Sequence, residues 1–246
     1  MLFPAPDRPI VGGLQPLTMI DFPGRIACVL FLQGCNLRCR YCHNPELVKK
    51  AGDISHPWHD ILGFLDRRRG FLEGVVFSGG EPTFQDTLRP AVEEIRDMGF
   101  EVALHTNGAF PLVLGGLLRD RLLSFVALDI KAPPGHYHEV TGAPIDAGVR
   151  ESARLLIESG VAHEFRTTVH PSVISQEWVM AIGDFLQALG AKRFILQKCR
   201  EGKTLDPQLP PVGPEWLGKP TLDHLRRQFS GLAIRGDPTR FQDLAA

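Results

Sequence analysis

Three cysteines fall close together in the run Cys35-Asn36-Leu37-Arg38-Cys39-Arg40-Tyr41-Cys42-His43. Thiolates are soft ligands, suited to iron–sulfur clusters, zinc or copper(I). Four chemistries compete for such a run. A c-type haem attachment needs C-x-x-C-H, which Cys39 to His43 matches, but it leaves Cys35 idle. A structural zinc site takes four ligands. Here no second C-x-x-C pair follows, and His43 beside Cys42 would have to chelate through a sharp turn. A disulfide framework conflicts with an odd total of 5 cysteines and with the size of the chain. A four-iron cluster held by three thiolates leaves one iron open, much as a catalytic zinc keeps an open position. An open iron binds a substrate or cofactor directly. Of the remaining cysteines, Cys28 lies in an apolar run and reads as core, and Cys199 ends a later one.

The elements that position this run alternate in type. Ile26 to Leu32 is a continuous apolar run and reads as a buried strand. Further strands are expected over Gly74 to Phe77, Phe100 to Leu104, Ser124 to Ile130, His163 to Val169, Arg193 to Leu196 and Leu232 to Ile234. Helices are expected over Pro57 to Arg69, Asp86 to Met98, Leu112 to Arg119, Ala147 to Ser159, Gln176 to Leu189 and Leu222 to Phe229. Alternation of this kind implies βαβ units and a parallel sheet, either a complete or partial β/α barrel or an open doubly wound sheet. The polar and glycine-rich motifs follow the strands: 34–44, 78–83, 105–108, 129–131, 166–170 and 197–200. In parallel α/β structures the strand C-termini converge on one face, where sites are built.

Composition narrows the class. The chain has 246 residues, 43% hydrophobic and 22% charged, with a formal net charge of −1. That balance argues against nucleic acid as a partner. The one basic cluster, Arg67-Arg68-Arg69, closes a predicted helix, where it suits the dipole. No run is long enough for a membrane span, and the N-terminus does not read as a signal peptide, so a cytoplasmic location is expected. The chain reads as one domain over 1–246, with a lead-in over 1–25 and a Pro-rich extension over 201–246. The stretch from Asp206 to Pro220 is expected to be an ordered loop or an exposed arm, because proline has no amide to give a sheet.

C-x₃-C-x₂-C with an aromatic before the last cysteine resembles the radical S-adenosylmethionine (SAM) signature, and Cys35, Cys39, Tyr41 and Cys42 fill it. Ser78-Gly79-Gly80-Glu81-Pro82 resembles the GGE motif of the same superfamily, and the likeness runs from about Gly12 to Arg200. Residues 12–45, together with Thr106-Asn107-Gly108 and Asp129-Ile130-Lys131, resemble glycyl-radical-enzyme activases. The resemblance is strongest to the longer form of anaerobic ribonucleoside-triphosphate reductase activating protein, and it extends to pyruvate formate-lyase activating enzyme.

The resemblance implies a single-domain partial (β/α)6-type barrel carrying one 4Fe-4S cluster on Cys35, Cys39 and Cys42. The open iron takes the amino and carboxylate groups of SAM. Gly79 and Gly80 let backbone approach the ligand, and Glu81 balances its ammonium. Tyr41 and His43 face the adenine, while Asp129 and Lys131 serve the ribose and the methionine carboxylate. Thr106, Asn107 and Arg166 complete the binding set. The implied reaction is reductive cleavage of SAM followed by radical formation on a glycine of a partner, an anaerobic ribonucleotide reductase. A flavodoxin or ferredoxin supplies the electron. Radical chemistry on another glycyl radical enzyme, a small molecule or a peptide is the alternative, and a zinc-binding module is the alternative of another class. The chain departs from the pyruvate formate-lyase activase pattern at Gln197-Lys198-Cys199-Arg200, where that family has a histidine.

Overall fold

A computed structural model describes residues 8–50 and 56–236. Eight strands line up in chain order, β1 to β8, in one sheet. They are β1 (Val11–Thr18), β2 (Ala27–Leu32), β3 (Gly74–Gly79), β4 (Glu101–Thr106), β5 (Phe125–Asp129), β6 (Ala162–Val169), β7 (Arg193–Lys198) and β8 (Gly231–Arg235). β1 runs antiparallel to β2; the β2–β3, β3–β4, β6–β7 and β7–β8 pairs are parallel. The order has two ends, so the sheet is unclosed, as a partial barrel requires.

Among the described residues seven α-helices intervene: α1 (Trp58–Asp66), α2 (Leu88–Asp97), α3 (Pro111–Arg119), α4 (Tyr137–Thr141), α5 (Asp146–Ser159), α6 (Gln176–Ala188) and α7 (Lys219–Gln228). Their buried positions recur at helical spacing, as in Trp58, Ile61 and Leu65 of α1 and Leu88, Val92 and Ile95 of α2. The inner strands are apolar almost throughout, which is the signature of a sheet covered on both faces.

The chain divides into two compact units. The first draws on the chain up to Asn36, Glu46–Thr106 and Leu112–Val126; the second draws on Leu37–Pro45, Asn107–Pro111 and the chain from Ala127 onward. One division falls between Asn36 and Leu37, inside the cysteine run.

Several elements differ from expectation. The lead-in contains β1, whose pattern is masked by Gly12, Gly13 and Pro16. Gly12 is there for space: a Cβ on it would lie 2.4 Å from Gln33 Oε1. α4 spans five residues, too few to show a period. α1 stops at Asp66, so the three arginines follow the helix, with Arg68 over the Phe64 ring at 4.6 Å. α7 begins at Lys219, with Pro220 in the first turn, where no amide is needed. The Pro-rich stretch is an ordered loop, pinned by buried Val212, Trp216 and Leu217.

Candidate functional site

In the first unit, the ends of β2, β3 and β4 are laced together. The cysteine run leaves β2 through Gln33 and Gly34. Gln33 is buried, and its amide donates to the carbonyls of Glu46 and Lys49, both at 2.8 Å. Gly34 N–H donates to Leu47 O at 2.7 Å and Cys35 N–H to Val48 O at 3.1 Å, so the returning chain closes the base of the loop. The turn after β3 joins the same place: Gly80 N–H donates to Leu32 O at 2.9 Å and Glu81 N–H to Gly34 O at 2.8 Å.

The two glycines of that turn are required by close approach. Gly79 has φ +114°, and a Cβ there would lie 2.3 Å from Leu32 N; a Cβ on Gly80 would lie 2.1 Å from Gly34 O. The neighbour filling the space is the protein's own backbone, so both glycines act first by bringing β2 and β3 together. Glu81 is 1% exposed. It accepts bonds from the Thr83 amide (3.1 Å), the Thr83 hydroxyl and the Thr106 hydroxyl (2.7 Å). This ties the turn to the end of β4.

In the second unit, Cys39, Tyr41, Asp129 and Lys131 form one electrostatic group. Lys131 Nζ lies 3.1 Å from Asp129 Oδ2, the strand-end ion pair that their alternation allows. Burial opposes the Lys131 charge, but Asp129, then Tyr41 and Cys39, outweigh it and hold the ammonium well above its ordinary range. Burial pushes the Cys39 thiol up to about 11, against the pull of Lys131. Tyr41 is 4% exposed and its hydroxyl, wholly buried, has no hydrogen-bond partner. Its titration is displaced well upward, chiefly by burial.

His43 Nε2 lies 3.0 Å from Arg200 O and 3.7 Å from Cys199 Sγ. A carbonyl only accepts, so Nε2 is assigned the proton. Two expected residues have partners of their own. Asn107 Oδ1 accepts from Ala109 N–H at 2.9 Å, closing an Asx turn. Arg166 is paired with Glu164, which Arg235 also grips at 2.9 and 3.1 Å. Both arginines outweigh burial and hold the Glu164 carboxyl below its usual value. His170, whose role the motifs leave open, donates to Pro210 O (3.0 Å) and accepts from Ser172 N–H (3.2 Å), so it is structural.

Leu205 and Asp206 are functional candidates that motif reading misses. They bond to the cysteine run across more than 160 positions, in a loop with no motif of its own. None of the five cysteines is in a disulfide. Among the described residues, no three His, Cys, Asp or Glu side chains converge on a single ion. A cluster spreads its thiolates over separate iron corners, so the donor set is judged by its chemistry. Three thiols on one loop, none in a disulfide, with the unpartnered buried hydroxyl of Tyr41 beside them, fit a cluster-and-ligand site.

Comparison with known proteins identifies the family. The Radical SAM superfamily model matches residues 29–184. A Methanocaldococcus jannaschii protein named as a glycyl-radical enzyme activating enzyme is 33% identical over 179 residues, covering 69% of this chain and 72% of that protein. The pyruvate formate-lyase-activating enzyme of Staphylococcus aureus is 34% identical over 190 residues, covering 72% of this chain and 75% of that one. Among solved structures, Streptococcus suis SuiB bound to S-adenosylmethionine superposes with a TM-score of 0.62 at 16% identity, over 87% of this chain. The chain spans about half of SuiB, 51% of its length, and the likeness at that identity is one of fold. Among the described residues no helix is long and apolar enough to cross a membrane. The cysteine run, the GGE turn and the parallel sheet are thus those of an enzyme of the Radical SAM superfamily, and the chain belongs to its glycyl-radical activating enzymes.

Proposed function

We propose that this chain, working as one radical SAM domain, generates a glycyl radical on anaerobic ribonucleoside-triphosphate reductase. The observation that carries the reading is the run Cys35, Cys39 and Cys42 leaving β2, inside the span matched by the Radical SAM model. These three thiols would hold a 4Fe-4S cluster. When bound, the reduced cluster supplies one electron to SAM, whose carbon–sulfur cleavage yields methionine and a 5′-deoxyadenosyl radical that takes a hydrogen atom from the partner's glycine.

The chain's own contribution is binding and orientation. Glu81, fixed by Thr83 and Thr106, presents a buried carboxylate to the ligand's ammonium. Gly79 and Gly80 hold that carboxylate against the start of the cysteine run. Tyr41, Cys42 and His43 form the edge facing the adenine. Lys131 supplies a charge for the methionine carboxylate, and Asp129 keeps that charge in place while serving the ribose. Asn107 and Arg166 act from behind the site, Asn107 through its turn and Arg166 through its pair with Glu164.

A flavodoxin or ferredoxin in the cytoplasm is the electron source in this reading. Pyruvate formate-lyase is the second candidate partner, favoured by the Staphylococcus aureus match. The deciding experiment incubates the reconstituted, reduced protein anaerobically with SAM and each partner in turn. A glycyl-radical doublet in the electron paramagnetic resonance spectrum of the reductase alone supports the first reading. A doublet on pyruvate formate-lyase alone moves the assignment to the second.

A further inference from the structure

The cysteine run is not held only by its own ends. In the second unit, the segment after β7 lies along it. Leu205 N–H donates to Cys42 O at 3.0 Å, and Asp206 N–H donates to Arg40 O at 2.9 Å. The side chains repeat the contact, with Arg40 Nε and Nη2 at 2.9 and 2.8 Å from Asp206 Oδ2. His43 adds its bond to Arg200 O. Residues 40, 42 and 43 are therefore each tied to the segment 200–206, and the loop's other flank is tied by Arg38 N–H to Thr141 O at 2.8 Å.

The segment is itself built to hold. Asp206 Oδ1 accepts from Gln208 N–H at 2.9 Å, and Asp206 O accepts from the Thr204 hydroxyl at 2.7 Å. Farther along, Pro210 O is anchored on His170 at the end of β6. Beside the segment lies a cavity of about 130 Å³, lined by His170, Cys199, Thr204 and Pro210 among others. Thr204, Leu205 and Asp206 are only half-buried, so packing alone does not fix the segment. Its position is set by its hydrogen bonds and its ion pair.

We propose that 204–206 is a positioning strap, in which the Arg40–Asp206 pair and the Leu205 amide hold the Tyr41–Cys42–His43 edge in the conformation that accepts the nucleoside of SAM. The inference rests on the reading of that edge as a cofactor contact. Asp206 and Arg40 are positioning residues: they act through the backbone of Arg40 and Cys42 and touch no reacting atom.

The test has two arms. In the cluster-free protein, alkylation of Cys42 is followed by mass spectrometry in wild type, Arg40→Ala, Asp206→Ala, the double variant and Asp206→Asn, with buried Cys28 as internal control. Asp206→Asn removes the charge but keeps an acceptor for Gln208, so the turn persists. Cys42 is expected to react roughly threefold faster in each variant, the scale of a partly exposed ion pair. The double variant should be no faster than either single, because the two side chains form one device. In the reconstituted enzyme, the KM for SAM should rise by a similar factor (roughly threefold) with kcat unchanged. Unchanged Cys42 reactivity, additive single effects, or a fall in kcat at constant KM overturns the strap. Absence of 5′-deoxyadenosine from wild type overturns the radical SAM reading instead, and the alkylation arm still decides whether the strap holds the loop.

Discussion

Gly80→Ala should damage this protein out of proportion to the single methyl group it adds. The new Cβ would sit 2.1 Å from Gly34 O, 2.7 Å from Gly34 C and 2.9 Å from Leu47 O. Ordinary contact begins at 3.4 Å, so the shortest of these must open by 1.3 Å. Every atom met is backbone, and no side chain can rotate away. Overpacking of this kind costs about 1–3 kcal/mol. The forced separation also breaks the Glu81 N–H to Gly34 O bond, adding about 1 kcal/mol. The total of about 2–4 kcal/mol corresponds to a fall in Tm of roughly 5–15 °C for a chain of this size. Differential scanning calorimetry of the cluster-free protein measures it without reference to catalysis. Gly63→Ala is the control: Gly63 lies within α1, where the new methyl meets only the flexible end of Arg67 at 3.4 Å. That change should be neutral or slightly stabilising. A Gly80→Ala protein melting within about 1 °C of wild type would refute the claim that backbone approach fixes the GGE turn to the cysteine loop.

Glu164→Gln leaves Arg166 buried without its counter-charge and should cost about 3 kcal/mol near neutral pH in urea unfolding. The folded Glu164 titrates below 4.5, so its contribution is full above that value and is lost as pH falls through the lower, folded one. The gap between wild type and variant should therefore close in acid; a constant gap would assign the loss to packing. Tyr41→Phe removes a buried hydroxyl that has no partner, so the cluster-free protein should unfold at the same denaturant concentration or a higher one, by up to about 1 kcal/mol. A clear loss of stability would mean that the hydroxyl is bonded after all.

The parallel β/α order was legible because inner strands covered on both faces carry unbroken apolar runs, as Ala27–Leu32 and Gly74–Gly79 do. Edge strand β1 was not, because Gly12, Gly13 and Pro16 erase the strand signal, with Gly12 placed for close approach to Gln33. The cysteine run and the GGE turn were visible as local spacing. The glycines there are also required by the close approach of the protein's own backbone at Leu32 and Gly34, which local spacing does not show. The pairing of Arg166 with Glu164, two positions away on the same face of β6, and the second arginine, Arg235, arriving from β8, were not legible in the sequence. Leu205 and Asp206 carried no signal, since a loop's long-range hydrogen bonds leave no period or motif.

The central claim is that the three cysteines support reductive cleavage of SAM. The most direct measurement is anaerobic: reconstitute with iron and sulfide, reduce with dithionite, add SAM and quantify 5′-deoxyadenosine, with a Cys35→Ala/Cys39→Ala/Cys42→Ala variant in parallel. Product from wild type and none from the triple variant is the predicted result. No product from a wild-type protein carrying a full four-iron cluster, or equal product from both proteins, would contradict it.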